Sequence, residues 1–252
     1  MKKILFSLLV FLNFVVPAFA AELKVAVAAN LQYAFEELEK GFEKDSGILL
    51  TGIIGSSGKF TTQIENGAPF DVFLSADMDY PKTLYKEGLT VGEPKIYVYG
   101  TLVLWTLRDV DLSKGLAVLT EPGVRKVAMA SPKTAPYGRQ SVNALKNSGI
   151  YKAVQPKLVY GENIAQTNQF ITSGAADAGF TAKSMVLAAN MKDQGKWIEV
   201  PAQSYDTIAQ GAVILKHAET SDLAAARKFF DYIFSDAAQV IWKKYGYVLP
   251  NE

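Results

Sequence analysis

The sequence predicts an α/β fold of two lobes, each a mostly parallel sheet flanked by helices, with two crossover strands as the hinge. Apolar strand-like runs alternate with runs of helical period over most of the chain, the pattern of parallel sheets covered by helices. Two long β-rich runs, 97–107 (YVYGTLVLWTL) and 208–215 (IAQGAVIL), each carry a glycine inside, as strands do where they bend between two bodies. A last helical pattern, 223–244, follows the second run and is expected to rejoin the first lobe. The expected division is 21–100 with 211–252 for one lobe and 101–210 for the other.

The first stretch is not read as fold. Lys2 and Lys3 precede a short apolar run broken by Asn13 and Pro17, and Ala18-Phe19-Ala20 forms a small-x-small cleavage site. Residues 1–20 are therefore expected to be a signal peptide cut after Ala20, which places the mature chain in the periplasm. Cysteine is absent, so an exported chain of this length relies on its core rather than on a disulfide framework. With 26 basic and 25 acidic residues and no basic stripe, nucleic acid is excluded as a partner.

The elements follow in order. Residues 23–28 (LKVAVA) read as a buried strand, and Asn30 stands where a helix cap stands. Leu31, Ala34, Phe35, Leu38 and Phe42 then lie at helical spacing up to Gly47. A strand over 48–54 enters Gly55-Ser56-Ser57-Gly58 and a short helix ending at Gly67. Residues 71–75 (DVFLS) form a third strand before another helix. Beyond the first crossover the pattern repeats: strand 127–130, the loop S-P-K-T-A-P-Y-G and a helix; then strand 157–160, Gly161-Glu162-Asn163-Ile164 and a helix; then strand 178–181 and a helix over 185–191. Trp105, Trp197 and Trp242 fall inside strand or helix patterns and are expected in the core.

Four strand ends thus release into helix starts, at Ala29-Asn30, Ser56-Ser57, Pro136-Tyr137 and Asn163-Ile164. In open α/β sheets ligands sit beyond the carboxyl ends of the strands. Helix starts there offer unpaired N–H groups and partial positive charge. Closure of two lobes would surround a ligand with N–H groups, an Asn amide and Ser and Tyr hydroxyls. Such a donor-only lining suits a fully ionised tetrahedral dianion and disfavours monohydrogen phosphate, whose proton needs an acceptor. Taken singly, Asn30, Ser56 and Ser57 also read as plain helix caps, and Tyr137 as surface stacking. Lys59, Lys133 and Arg139 flank the junctions.

Enzymatic patterns fail on the letters. The phosphate-loop motif is broken because Ile53 and Phe60 occupy required positions, and Gly55-Ser56-Ser57-Gly58 is one residue short of a nucleophile elbow. His217, the single histidine, reads as a surface turn residue near Glu219; with no cysteine, a zinc or iron centre is not expected. The chain is read as a non-enzyme without cofactor, with a serine hydrolase as the alternative of a different class.

The motifs V-A-A-N-L (27–31), G-S-S-G-K-F (55–60), Q-I-E-N-G-A-P-F-D-V-F-L-S-A-D (63–77), S-P-K-T-A-P-Y-G (131–138), G-A-A-D-A-G-F (174–180) and Y-G-Y-V-L-P (245–250) resemble the periplasmic molybdate-binding proteins of bacterial ABC transporters. The resemblance covers essentially the whole mature chain. It implies a type II periplasmic-binding-protein clamshell that binds molybdate or tungstate and delivers it, as a monomer, to membrane permease subunits with a cytoplasmic ATPase. It implies ligand-binding roles for Ala29, Asn30, Ser57, Tyr137 and the backbone N–H of Ile164. Ala182 stands where some members have a tyrosine donor. Another tetrahedral oxyanion such as sulfate is the alternative ligand.

Overall fold

The computed structural model describes residues 22–250, so the expected signal peptide and its cleavage site lie outside the described residues. The elements are β1 (Glu22–Ala28), α1 (Gln32–Ser46), β2 (Leu49–Gly55), α2 (Ser57–Glu65), β3 (Val72–Leu74), α3 (Asp79–Lys86), β4 (Lys95–Gly100), β5 (Leu102–Thr106) and β6 (Val127–Ala130). They continue with α4 (Pro136–Asn147), α5 (Tyr151–Val154), β7 (Leu158–Gly161), α6 (Ile164–Thr172), β8 (Ala178–Ala182), α7 (Lys183–Val186), β9 (Lys196–Glu199), β10 (Ile208–Ile214), α8 (Leu223–Tyr232) and α9 (Asp236–Lys244).

Among the described residues these strands build two five-stranded sheets, ordered β2-β1-β3-β10-β4 and β7-β6-β8-β5-β9. In the first, β1 runs parallel to β2 and β3, whereas β10 is antiparallel to β3 and β4. In the second, β6 runs parallel to β7 and β8, whereas β5 is antiparallel to β8 and β9. The one reversed strand of each sheet is thus the strand that has just crossed between them. β4 and β5, separated by Thr101 alone, pair in different sheets, so the run 97–107 is the crossing its composition suggested. All of β10 pairs in the first sheet, so a border at 210/211 cuts through this strand and the return is complete at Ile208.

Local chemistry explains the elements nearest the cleft. From Val25 on, β1 is buried on both faces, as a central parallel strand must be, which is why its sequence is continuously small and β-branched. α1 buries Ala34, Phe35, Leu38 and Phe42 and stops at Gly47, whose φ of 71° supplies the left-handed cap. Phe35 and Phe42 meet Phe229 of α8 edge-on, which fastens the C-terminal helices to the first sheet.

The helical pattern over 223–244 is two helices, not one. Ser235 caps α9 by accepting from the Ala238 N–H, and the Trp242 indole donates to the freed Ile233 carbonyl at 2.9 Å. Apolar periodicity continues across such a break, because both helices bury the same side. Trp105 and Trp242 are fully buried as expected, whereas Trp197 on the edge strand β9 is only half-buried. His217 does not merely sit in a turn: its Nδ1 lies 2.8 Å from Oδ1 of the buried Asp71.

Candidate oxyanion-binding site

Beyond the carboxyl ends of β1, β2, β6 and β7 the chain turns into helix four times, and the four turns meet at one small cavity between the sheets. Its lining includes Ala29, Asn30, Ser57, Tyr137 and Ile164, the five residues singled out above, together with Ser56, Asn163 and small residues such as Ala28, Gly55, Ala76 and Ala135. The free volume inside it is only about 10 Å³, close to the ~10–15 Å³ that a single water-sized sphere takes up. No lining residue carries a charge.

Each junction contributes in its own way. α2 begins at Ser57, α4 at Pro136 and α6 at Ile164, so the first N–H groups of three helices have no carbonyl of their own helix to bond. Ser57 Oγ accepts from the Ala76 N–H at 3.0 Å, which leaves its own proton for another acceptor. Tyr137 Oη accepts from Gln210 Nε2 at 3.2 Å, and its proton is likewise left over. Burial pushes the Tyr137 hydroxyl well above the ordinary tyrosine range, so it remains a donor at any physiological pH. Ser56 stands at the cap position of α2, but its side chain makes no cap bond and its buried Oγ has no partner. Asn163 is a true cap, accepting from the Gln166 N–H at 3.0 Å. Both serines therefore fail as plain caps, and so does Asn30.

Asn30 departs most from expectation. It lies inside a 3-10 turn, Ala29–Leu31, with 1% of its surface exposed. Its Nδ2 donates to Gln210 Oε1 at 2.9 Å and to Tyr247 Oη at 3.0 Å, and its buried Oδ1 has no partner. Its backbone carbonyl accepts from Tyr247 Oη at 2.8 Å and Ser184 Oγ at 2.7 Å. The lining is thus not donor-only, because Oδ1 is an acceptor. The reason lies with Gln210 and Tyr247, which compete for the amide protons from distant parts of the chain and which reading by junctions did not identify. One signal was present: Gln210 is a lone polar residue in an otherwise apolar strand.

The mouth of the cleft is bridged between the sheets. The Gly58 N–H donates to the Thr134 carbonyl at 2.9 Å, and Lys59 pairs with Glu162 at 2.7 Å. Arg139 pairs with Asp77, donates to Tyr80 Oη at 3.1 Å and lies over the Tyr80 ring. Burial lifts the Asp77 carboxyl above its ordinary range, against the pull of Arg139. The Lys59–Glu162 pair is well exposed and worth little by itself. These contacts describe a closed cleft. Lys59 and Arg139 are engaged at its rim, Lys133 is exposed beside it, and none of the three lines the cavity.

A family model described as bacterial extracellular solute-binding protein matches residues 23–248. The chain is 41% identical over 231 residues to the molybdate-binding protein ModA of Azotobacter vinelandii, covering 91% of each chain. It is 39% identical over 243 residues to the molybdate-binding protein ModA of Rhodobacter capsulatus, covering 96% of this chain and 94% of that one. The solved periplasmic molybdate-binding protein of Azotobacter vinelandii superposes with a TM-score of 0.84, at 36% identity over 90% of this chain and 99% of that one.

Proposed function

The chain belongs to the bacterial extracellular solute-binding protein family, and from that premise we propose that it is the periplasmic molybdate-binding component of an ABC importer. The observation that carries this reading is a small uncharged cavity lined by three helix starts and by Ser57 and Tyr137, whose hydroxyls accept from within the protein and keep their own protons to give. A dianion held there is stabilised by oriented dipoles and hydrogen bonds, which spares the site a buried counter-charge and its desolvation cost. Ala29, Asn30, Ser57, Tyr137 and the Ile164 N–H are the proposed ligand contacts, with Asn30 sharing with the ion the proton it now gives Tyr247. Tungstate, alike in size and charge, is a second ligand of the same site.

The rest of the cycle follows from the two-sheet plan. Two lobes, divided at Thr101 and at the entry to β10 and so close to the expected 21–100 with 211–252 and 101–210, are proposed to open about these two crossings. Ligand draws them into the bridged form described above, because the second lobe adds donors only when closed. The closed chain then delivers its ligand, as a monomer and without cofactor or catalysis, to a membrane permease. Export with cleavage after Ala20 belongs to the same proposal.

Titration calorimetry with molybdate, tungstate, sulfate and phosphate tests the reading. Expected is tight one-to-one binding of the first two and weaker binding of sulfate, whose shorter bonds leave desolvated donors stretched. The unpartnered Asn30 Oδ1 favours phosphate as the specific competitor, since it could take the proton of a monohydrogen ion. Preferred phosphate or sulfate binding overturns the molybdate assignment. The backbone contribution has its own test. Ile164 is the first residue of α6, where proline is tolerated, and Asn163 before it is extended at φ −147° and ψ −178°. Ile164→Pro therefore removes the N–H and leaves the helix in place. A loss of about 10-fold in molybdate affinity is expected, whereas Ile164→Val keeps the N–H and the affinity.

A further inference from the structure

Behind the cavity wall lies a buried polar cluster whose centre is Gln210, a residue that is fully buried and does not line the cavity. Its Oε1 accepts from Asn30 Nδ2 at 2.9 Å and lies 3.2 Å from Tyr97 Oη, while its Nε2 donates to Tyr137 Oη at 3.2 Å. Tyr97 also donates to the Ser75 carbonyl at 3.0 Å. One amide therefore touches a cavity residue of each sheet, and it does so from the strand that returns between them. A register shift between Gln210 and Gly211 interrupts the pairing of β10 with β4. Bulges of this kind re-aim a side chain. At Gly211 a Cβ would displace Met78 Sδ and crowd the Asp77 carbonyl.

The geometry points to Gln210 as a positioning residue that fixes which protons the site offers its ligand. This rests on the oxyanion-binding reading and extends it to a residue outside the cavity. By donating to Tyr137 Oη, Nε2 occupies a lone pair of that hydroxyl and turns its proton toward the cavity. By accepting from Asn30, Oε1 holds the amide of that residue in its present orientation. The two ends are not interchangeable: with Oε1 toward Tyr137, the tyrosine proton would be spent on Gln210 and a donor lost from the site. Gln210 so sets the polarity of the hole.

Gln210→Glu separates positioning from simple packing. A carboxylate has no proton to give, so Tyr137 turns its hydroxyl toward it, and the negative charge opposes a dianion. Protonation restores a neutral side chain with one donor, and buried carboxyls titrate as high as ~8–9. The other titratable groups facing this position are Tyr97 of β4, Tyr137 of α4, Tyr247 after α9 and Asp77 after β3. Burial holds all three tyrosines above their ordinary range and lifts the Asp77 carboxyl as well, against the pull of Arg139. Molybdate affinity of Gln210→Glu is expected to rise as pH falls from alkaline to mildly acidic, while the unaltered chain stays flat. A loss that is the same at every pH, or no loss, overturns the assignment.

A second pair of variants covers the case in which a buried glutamate prevents folding. Gln210→Leu is expected to weaken molybdate binding about 10–100-fold. In a Tyr137→Phe background, where there is no hydroxyl left to orient, the same change is expected to cost only about 3-fold or less. Additive losses overturn the assignment. Absence of molybdate binding by the unaltered chain removes the oxyanion reading itself, and is distinguishable from either result.

Discussion

The double variant Asn30→Ala, Ser57→Ala is expected to fold and to lose molybdate affinity by ~10²–10⁴-fold, from two hydrogen bonds to a charged ligand at ~1.5–3 kcal/mol each. Each substitution removes more than a ligand contact. Without Ser57 Oγ the buried Ala76 N–H loses its acceptor, and without the Asn30 amide Gln210 Oε1 and Tyr247 Oη each lose a donor. A fall in thermal stability of ~1–3 kcal/mol accompanies the loss of binding for that reason. Asn30→Asp is the informative companion. It keeps the shape and places a carboxylate against the anion, so it should bind worse than the alanine variant if the site holds a dianion. Calorimetry and thermal melts read both effects, and unaltered affinity in the double variant defeats the site assignment.

Gly100→Ala is expected to be nearly as damaging, although residue 100 is not a proposed ligand contact. Gly100 ends β4 at the crossing, and a Cβ built there overlaps the Tyr137 hydroxyl and Gln210 Nε2. Its φ is not in the left-handed region, so the requirement for glycine is one of space. Because Tyr137 is buried and has nowhere to retreat, the methyl drives it from its position at about 1–3 kcal/mol of overpacking strain. Molybdate affinity should fall about 100-fold as one donor moves and its orienting partner shifts with it. In the Tyr137→Phe background, which removes the overlapping oxygen, Gly100→Ala should cost much less stability. Equal costs in both backgrounds would show that the glycine serves another purpose.

These two expectations mark what was legible in the sequence. β1, α1 and the four junctions were readable because local chemistry determines them: burial on both faces makes a strand continuously apolar, and Gly47 stops a helix wherever the chain folds. The five proposed ligand contacts could be nominated because each belongs to a strand-to-helix junction, a place that sequence order reveals, and the structure lines one cavity with all five. Gly100 was recognised as a bend in a long strand, yet its contact with Tyr137 joins residues from different sheets. Gln210 and Tyr247 reach Asn30 from 180 and 217 residues away, and nothing in local periodicity encodes that meeting. The orphaned Oδ1 of Asn30 was missed for the same reason, since amide orientation is decided by partners and not by position in a turn. The break between α8 and α9 escaped because apolar spacing ran unbroken through Ser235.

The oxyanion is proposed to sit where the four junctions meet. Anomalous diffraction at the molybdenum edge from crystals grown with molybdate tests it most directly, since it places the metal atom without reference to the protein. One strong peak is expected inside the cavity, within hydrogen-bonding reach, through the ligand's oxygens, of Ser57 Oγ, Tyr137 Oη and the Ile164 N–H. A peak at the rim beside Lys59 or Arg139, with the cavity empty, would contradict it.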